Sequence, residues 1–242
     1  MCFPIAVSPN KHNHSLVGIG VWVALTVADS SAVDKLEEVM VVLTRSAQRK
    51  LGDVHGDKLS LRESVTSKAS AVWLHREHVD MYSGRTFDGT FSTQVDHVLE
   101  VQLSEMSLVA AFQRENATVG SFATIQAAGI LRVAFNGVEN LNNTTAKHNQ
   151  AKRGPFTAAI NRLNDGRLRS ISLSQLASQG RAKWLVDNGD WTRIETEVVR
   201  SHETIEYNLC SAGVEAALPS ACRLVEATIE ELTQLLVAIN VL

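Results

Sequence analysis

The sequence predicts a helix-rich α+β fold, and three observations carry the prediction. Aromatic residues are only 5% of a chain that is 45% hydrophobic, so the apolar content is dominated by Ala, Val and Leu, a balance that favours helices within a mixed fold. Apolar residues recur at helical spacing in several segments. One β-branched run, around Val95, Val98 and Val101, reads as a strand and carries Asp96-His97 in its middle. At 242 residues the chain is long enough for one large domain or two small ones with a real core.

The elements follow in order. Leu16–Ala28 is apolar and precedes Asp29-Ser30-Ser31-Ala32. It fits a secretory signal ending near Ala32 or a buried strand, and it is short for a membrane span. Its Gly and β-branched content favours the strand, and with it an intracellular location over secretion through residues 1–32. Sequons start at Asn13, Asn116, Asn142 and Asn143. Ser31 reads as an N-cap with Asp34 three residues on, and Val33, Leu36, Met40 and Leu43 stripe a helix reaching about Leu51, where Gly52 stops it. Lys68–Tyr82 predicts a second helix ended by Ser83-Gly84, and Arg85–Thr93 a loop into the Asp96-His97 strand. Leu103–Arg114 predicts a helix. Phe122–Phe135 predicts a strand on Ile130, Leu131, Val133 and Phe135. Asn136-Gly137 is a turn signal. Thr145 opens a helix through Lys152, interrupted at Gly154-Pro155 and resumed over Thr157–Leu163. Ser172–Val186, Trp191–Leu209 and Pro219–Val241 predict further helices. The last is expected to act as a support or to join two copies of the chain.

A net charge of −3 and a pI near 6.2 exclude a chain-wide polycation. A local basic stretch remains. Lys147, Lys152, Arg153, Arg162, Arg167, Arg169, Arg181 and Lys183 fall between residues 147 and 183, with Asp165 the one acid among them. That pattern fits either a solvated helix face or a phosphate-binding surface. Cys2, Cys210 and Cys222 form no CxxC pair, so buried thiols are expected rather than a disulfide framework or a zinc knuckle.

Two short strings concentrate the chemistry: Asp96-His97-Val98-Leu99-Glu100-Val101-Gln102, and Asn140-Leu141 followed by Asn149-Gln150-Ala151-Lys152. Together they resemble the HNH, or His-Me finger, endonuclease motif. The nine-residue step from Asn140 to Asn149 is similar to that in the HNH domain of RNA-guided CRISPR nucleases. The resemblance covers about Arg85 to Pro155. It implies a ββα-metal unit, two strands and a helix around one divalent cation, embedded in a mostly helical domain. Residues 83–170 would form this core, with an insertion at about 104–135, between an N-terminal strand and helical region (1–82) and a C-terminal helical region (171–242). The chain departs from the pattern in that long insertion, in Arg153 standing before Gly154, and in lacking the paired CxxC zinc sites of many relatives.

The resemblance implies roles that suit the residue types. His97 titrates near neutrality and would take a proton from water. Asp96, with Asn149 or the neighbouring His148, would hold Mg²⁺ or Mn²⁺; register favours Asn149. Asn140 would orient the His97 loop. Lys152, Arg153, Lys147 and Arg85 would contact nucleic acid. Glu100 is expected beside Asp96 on one strand face and is not expected to be a ligand. The implied activity is metal-dependent cleavage of DNA, ahead of RNA, by a toxin or host-targeted effector with no stable membrane insertion. The competing expectation is a non-catalytic adaptor that keeps the scaffold and binds nucleic acid or protein.

Overall fold

The computed structural model describes residues 59–87, 92–165, 172–209 and 212–242, all within the unit Met40–Leu242. The strand expected at Leu16–Ala28 and the helix expected from Ser31 to Leu51 lie outside the described residues, as do Cys2 and Cys210.

The described chain is helix-rich with two small antiparallel sheets, an α+β arrangement. A single 3-10 turn, Thr66–Lys68, leads into α1 (Ala69–His75). The helix expected to reach Tyr82 stops here, because Glu77 and His78 both adopt positive φ, 51° and 64°. Left-handed residues end a helix and reverse the chain. Val79–Asp80 (β1) and Arg85–Thr86 (β2) then pair antiparallel. Asp80 is fully buried. Its Oδ1 accepts from the Tyr82 amide at 3.0 Å and from Asn142 Nδ2 at 2.8 Å, and its Oδ2 from Ser83 Oγ and Thr144 Oγ1. Those bonds fix the turn that presents Tyr82.

The central pair is β3 (Thr93–His97). It runs antiparallel to Leu141–Thr145, with Asp96 opposite Asn142 and His97 opposite Leu141. The strand ends at His97, so Glu100 does not share a strand face with Asp96. Instead it is the extended N-cap residue of α2 (Val101–Arg114). The predicted strand over 122–135 is α3 (Phe122–Phe135). Ser121 caps it by accepting the Thr124 amide. Thr124, Ala127, Ala128, Leu131 and Phe135 are buried at spacings of three and four, while Val133 is 74% exposed. Helical period outweighs β-branched content here. The segment expected to be an insertion thus holds two helices, α2 and α3.

A 3-10 turn, Val138–Asn140, leads into Leu141–Thr145 (β4), and α4 (Ala146–Asn164) follows directly. Thr145 caps α4 by accepting the His148 amide. The expected break at Gly154-Pro155 does not occur. Proline removes one hydrogen bond, and the usual clash of its ring with the preceding Cβ is absent because that residue is glycine.

The expected helix over 172–186 is split into α5 (Leu173–Ala177) and α6 (Lys183–Asp187), with Gly180 at φ +62° between them. Next come α7 (Asp190–Asn208), α8 (Ala212–Ala217) and α9 (Pro219–Ala238). The apolar side of α9 packs along α2 and α3. One large buried cluster draws on α2, α3, α4, α5, α6, α7 and α9 together with Leu59, Leu61 and Tyr82, and a smaller one joins Val65, Val72 of α1 and Leu141 of β4. Cys222 on α9 is a free, buried thiol. No helix among the described residues is long and apolar enough to cross a membrane.

Candidate functional site

The chain order β3, β4, α4 gives two antiparallel strands followed immediately by a helix, and the two sequence strings meet on this unit. Asn140 joins them. Its backbone carbonyl accepts the Val98 amide at 2.8 Å. Its Oδ1 accepts the Leu99 amide and the Ser201 hydroxyl, each at 2.7 Å. Its Nδ2 donates to the carbonyls of Phe135 at 2.8 Å and Leu99 at 3.2 Å. Asn140 thus bonds both residues that follow His97.

Adjacent strand residues point to opposite faces, and Asp96 and His97 do so. On one face, Asp96 Oδ2 accepts from Tyr82 Oη at 2.7 Å and from Lys152 Nζ at 2.8 Å. Lys152 Nζ also donates to Glu100 Oε1 at 3.1 Å and to the His97 carbonyl. Its ammonium is 5.4 Å from the ring centroids of both Tyr82 and Phe156. Lys152 has no exposed surface, so it contacts no phosphate in this arrangement, contrary to expectation. Burial alone lowers its pKa, but the Asp96 and Glu100 carboxylates outweigh burial and hold it above the ordinary lysine value. It is a charged internal counter-ion. The Tyr82 phenol is pushed well above its usual range, first by burial and then by Asp96, so it remains a donor.

On the other face, His97 Nε2 lies 2.9 Å from Asn136 Oδ1. The His97 pKa is held below the ordinary histidine value by burial, against the opposing pull of Asn136 and Asp96. The imidazole is therefore neutral at physiological pH.

Neither expected helix ligand joins Asp96. Asn149 Nδ2 donates to Gln94 Oε1 at 3.2 Å, at the surface. His148 has both ring nitrogens engaged, Nδ1 with Thr145 Oγ1 at 2.8 Å and Nε2 with Asp190 Oδ2 at 3.2 Å. A β-to-α junction fixes the reason. Position 148 falls one turn after the cap and faces α7, position 149 faces outward, and position 152 is the one that reaches Asp96. The Lys147 ammonium lies 4.1 Å from the Trp184 ring centroid. Lys147, Arg153 and Arg85 are all exposed.

Three oxygen donors, from Asp96, Glu100 and the His97 carbonyl, converge on one buried cationic nitrogen. Hard oxygens of this kind are the type that ligates Mg²⁺ or Mn²⁺; here the Lys152 ammonium occupies the point between them, and the set includes Glu100 and neither Asn149 nor His148. Among the described residues no group of three or more His, Cys, Asp or Glu side chains gathers into a metal site. Sequence reasoning discounted Glu100 and missed Tyr82 and Asn136. The spacing from Asp96 to Glu100 held the only signal, since a strand that stops at His97 turns Glu100 back toward Asp96. Comparison with protein-family models, curated proteins and solved structures gave no match.

Proposed function

We propose that the β3–β4–α4 unit is a phosphodiester-hydrolysing site of the HNH type, acting on DNA ahead of RNA. The observation that carries the reading is a neutral, half-buried imidazole at the end of a strand whose preceding carboxylate belongs to a cation-holding oxygen cluster. His97 would take the proton of the attacking water. That role needs a base neutral at working pH, which burial provides. Asn140 would keep the His97 loop in one geometry. Arg153 and Arg85, exposed on α4 and β2, would bind the nucleic-acid backbone, and their charge makes binding weaken with salt. Asp96, Glu100 and the His97 carbonyl would hold Mg²⁺ or Mn²⁺, which supplies Lewis-acid stabilisation of the phosphate.

One observation favours a second reading. Lys152 already satisfies the oxygens that a metal would take, and a buried, fully bonded ammonium is not displaced cheaply. A chain that keeps Lys152 there permanently would be a non-catalytic binding protein on the same scaffold.

Cleavage of supercoiled plasmid and of structured RNA by the purified chain, with Mg²⁺, Mn²⁺ or EDTA, separates the two. Metal-dependent cleavage that disappears in a folded His97→Ala variant supports the nuclease. Folded wild type that binds nucleic acid without cutting it supports the adaptor.

A further inference from the structure

We propose that Asn136 is a positioning residue that fixes His97 in the tautomer with a proton on Nε2 and a lone pair on Nδ1. The proposal rests on the reading of His97 as a general base.

Asn136 is the residue that closes α3, and it is fully buried. Its amide nitrogen donates to the Leu61 carbonyl and to the Arg132 carbonyl, each at 2.7 Å. Those two bonds use both of its N–H groups. Its oxygen faces the Glu63 amide at 3.3 Å and His97 Nε2 at 2.9 Å. Swapping oxygen and nitrogen would set an oxygen against two carbonyls and an NH₂ against an amide N–H, so the hydrogen-bond network admits one orientation. An acceptor opposite Nε2 requires a proton there. Neutral imidazole carries one N–H, so Nδ1 is left with its lone pair. Nδ1 has no hydrogen-bond partner among the described residues.

The clamp is held from two sides: the segment before α1 through Leu61 and Glu63, and the last turn of α3 through Arg132. It also gives α3 a task. Without α3 there is no Asn136 at this point, and His97 loses the group that decides which nitrogen carries the proton. An orienting bond of this kind typically changes activity by about 10–100-fold when removed.

The test is a two-bond proton–nitrogen correlation spectrum of the metal-free, ¹⁵N-histidine-labelled full chain, with the His97 signals identified by their loss in His97→Gln. The expected spectrum shows a protonated Nε2 and an unprotonated Nδ1. In Asn136→Ala and in the less disruptive Asn136→Ser the two tautomers mix, and kcat falls about 10–100-fold with KM unchanged. Wild type with the proton on Nδ1, which needs no variant to fold, overturns the proposal. So does a folded variant whose His97 spectrum is unchanged. Wild type with the expected spectrum but no cleavage overturns the nuclease reading and supports the clamp, so the two failures are told apart.

Discussion

Lys152 and Asp96 form an ion pair of 2.8 Å in which the lysine has no solvent contact. Such a pair adds little net stability over an apolar replacement of both partners, but removing one partner strands the other. Lys152→Met would leave the Asp96 and Glu100 carboxylates facing each other without a counter-charge. The expected loss is about 3–5 kcal/mol in EDTA, measured by urea unfolding. Mg²⁺ or Mn²⁺ should then recover part of that loss in the variant and have a smaller effect on wild type. A variant whose stability ignores both metals would rule out a divalent cation between these oxygens.

Glu100 shares the Lys152 ammonium with Asp96, and Asn149 bonds Gln94 instead. Glu100→Gln removes one carboxylate from the oxygen cluster. The Mg²⁺ concentration for half-maximal cleavage should rise by about tenfold or more, the scale of one charged contact of roughly 1.5–3 kcal/mol. Asn149→Ala removes only the surface bond to Gln94. It should change stability by no more than about 0.5 kcal/mol and leave the Mg²⁺ dependence alone. A metal titration that moves with Asn149 and not with Glu100 would restore the helix ligand and discard the one read from geometry.

Asn140 is a rivet between β4, the loop after His97, the end of α3 and Ser201 on α7. Asn140→Ala leaves several buried backbone groups unpaired at roughly 1–3 kcal/mol each, so a destabilisation of at least about 2 kcal/mol is expected. Hydrogen exchange should speed up first at the Leu99 amide. Unchanged protection there would mean that the side chain does not brace the loop.

His97 and His202 are both held below the ordinary histidine pKa by burial, with Glu206 and Glu203 opposing the shift at His202. In the unfolded chain these imidazoles take up protons near pH 6.5, and in the folded chain at lower pH. Between the folded and unfolded values the unfolded state binds more protons, so stability present above the unfolded pKa is lost as pH falls through this window. Glu195 and Glu231, raised above the usual carboxylate value first by burial, act in the opposite sense. The informative quantity is therefore a difference in slope. The melting temperature should fall from about pH 7 to about pH 5, and less steeply in His202→Gln. Equal slopes in the two proteins would mean that His202 titrates alike folded and unfolded.

What the sequence shows clearly is what neighbours in the chain decide. The Asp96-His97 strand and the α2 helix follow from local pattern. In residues 122–135, Ile130, Leu131, Val133 and Phe135 carry a strand-like composition, while the face that α3 buries, Ala127, Ala128 and Leu131, follows the helical period. Tyr82 was hidden inside a predicted helix that two positive-φ residues, Glu77 and His78, bring to an end. Lys152 was read as a surface cation, as lysine usually is. Its burial depends on carboxylates 52 and 56 residues away, a distance over which composition and periodicity carry no information.

Gly154 tests the continuity of α4 independently of any chemistry. It lies inside the helix, is exposed, and a Cβ built there meets nothing within 4 Å. Glycine in a helix interior costs roughly 0.5–1 kcal/mol relative to alanine, through the freedom it loses on folding. One opposing term is local: a Cβ at this position meets the ring of Pro155, which disfavours helical geometry in the residue before proline. If the helix runs unbroken because Gly154 avoids that clash, the gain from Gly154→Ala is cancelled or reversed. Its helicity by circular dichroism then drops relative to Thr157→Ala, a substitution one turn further along the same exposed face. A Gly154→Ala variant stabilised by the full 0.5–1 kcal/mol, roughly the helix-propensity value, would show that Pro155 tolerates any small residue before it and that the unbroken helix has another cause.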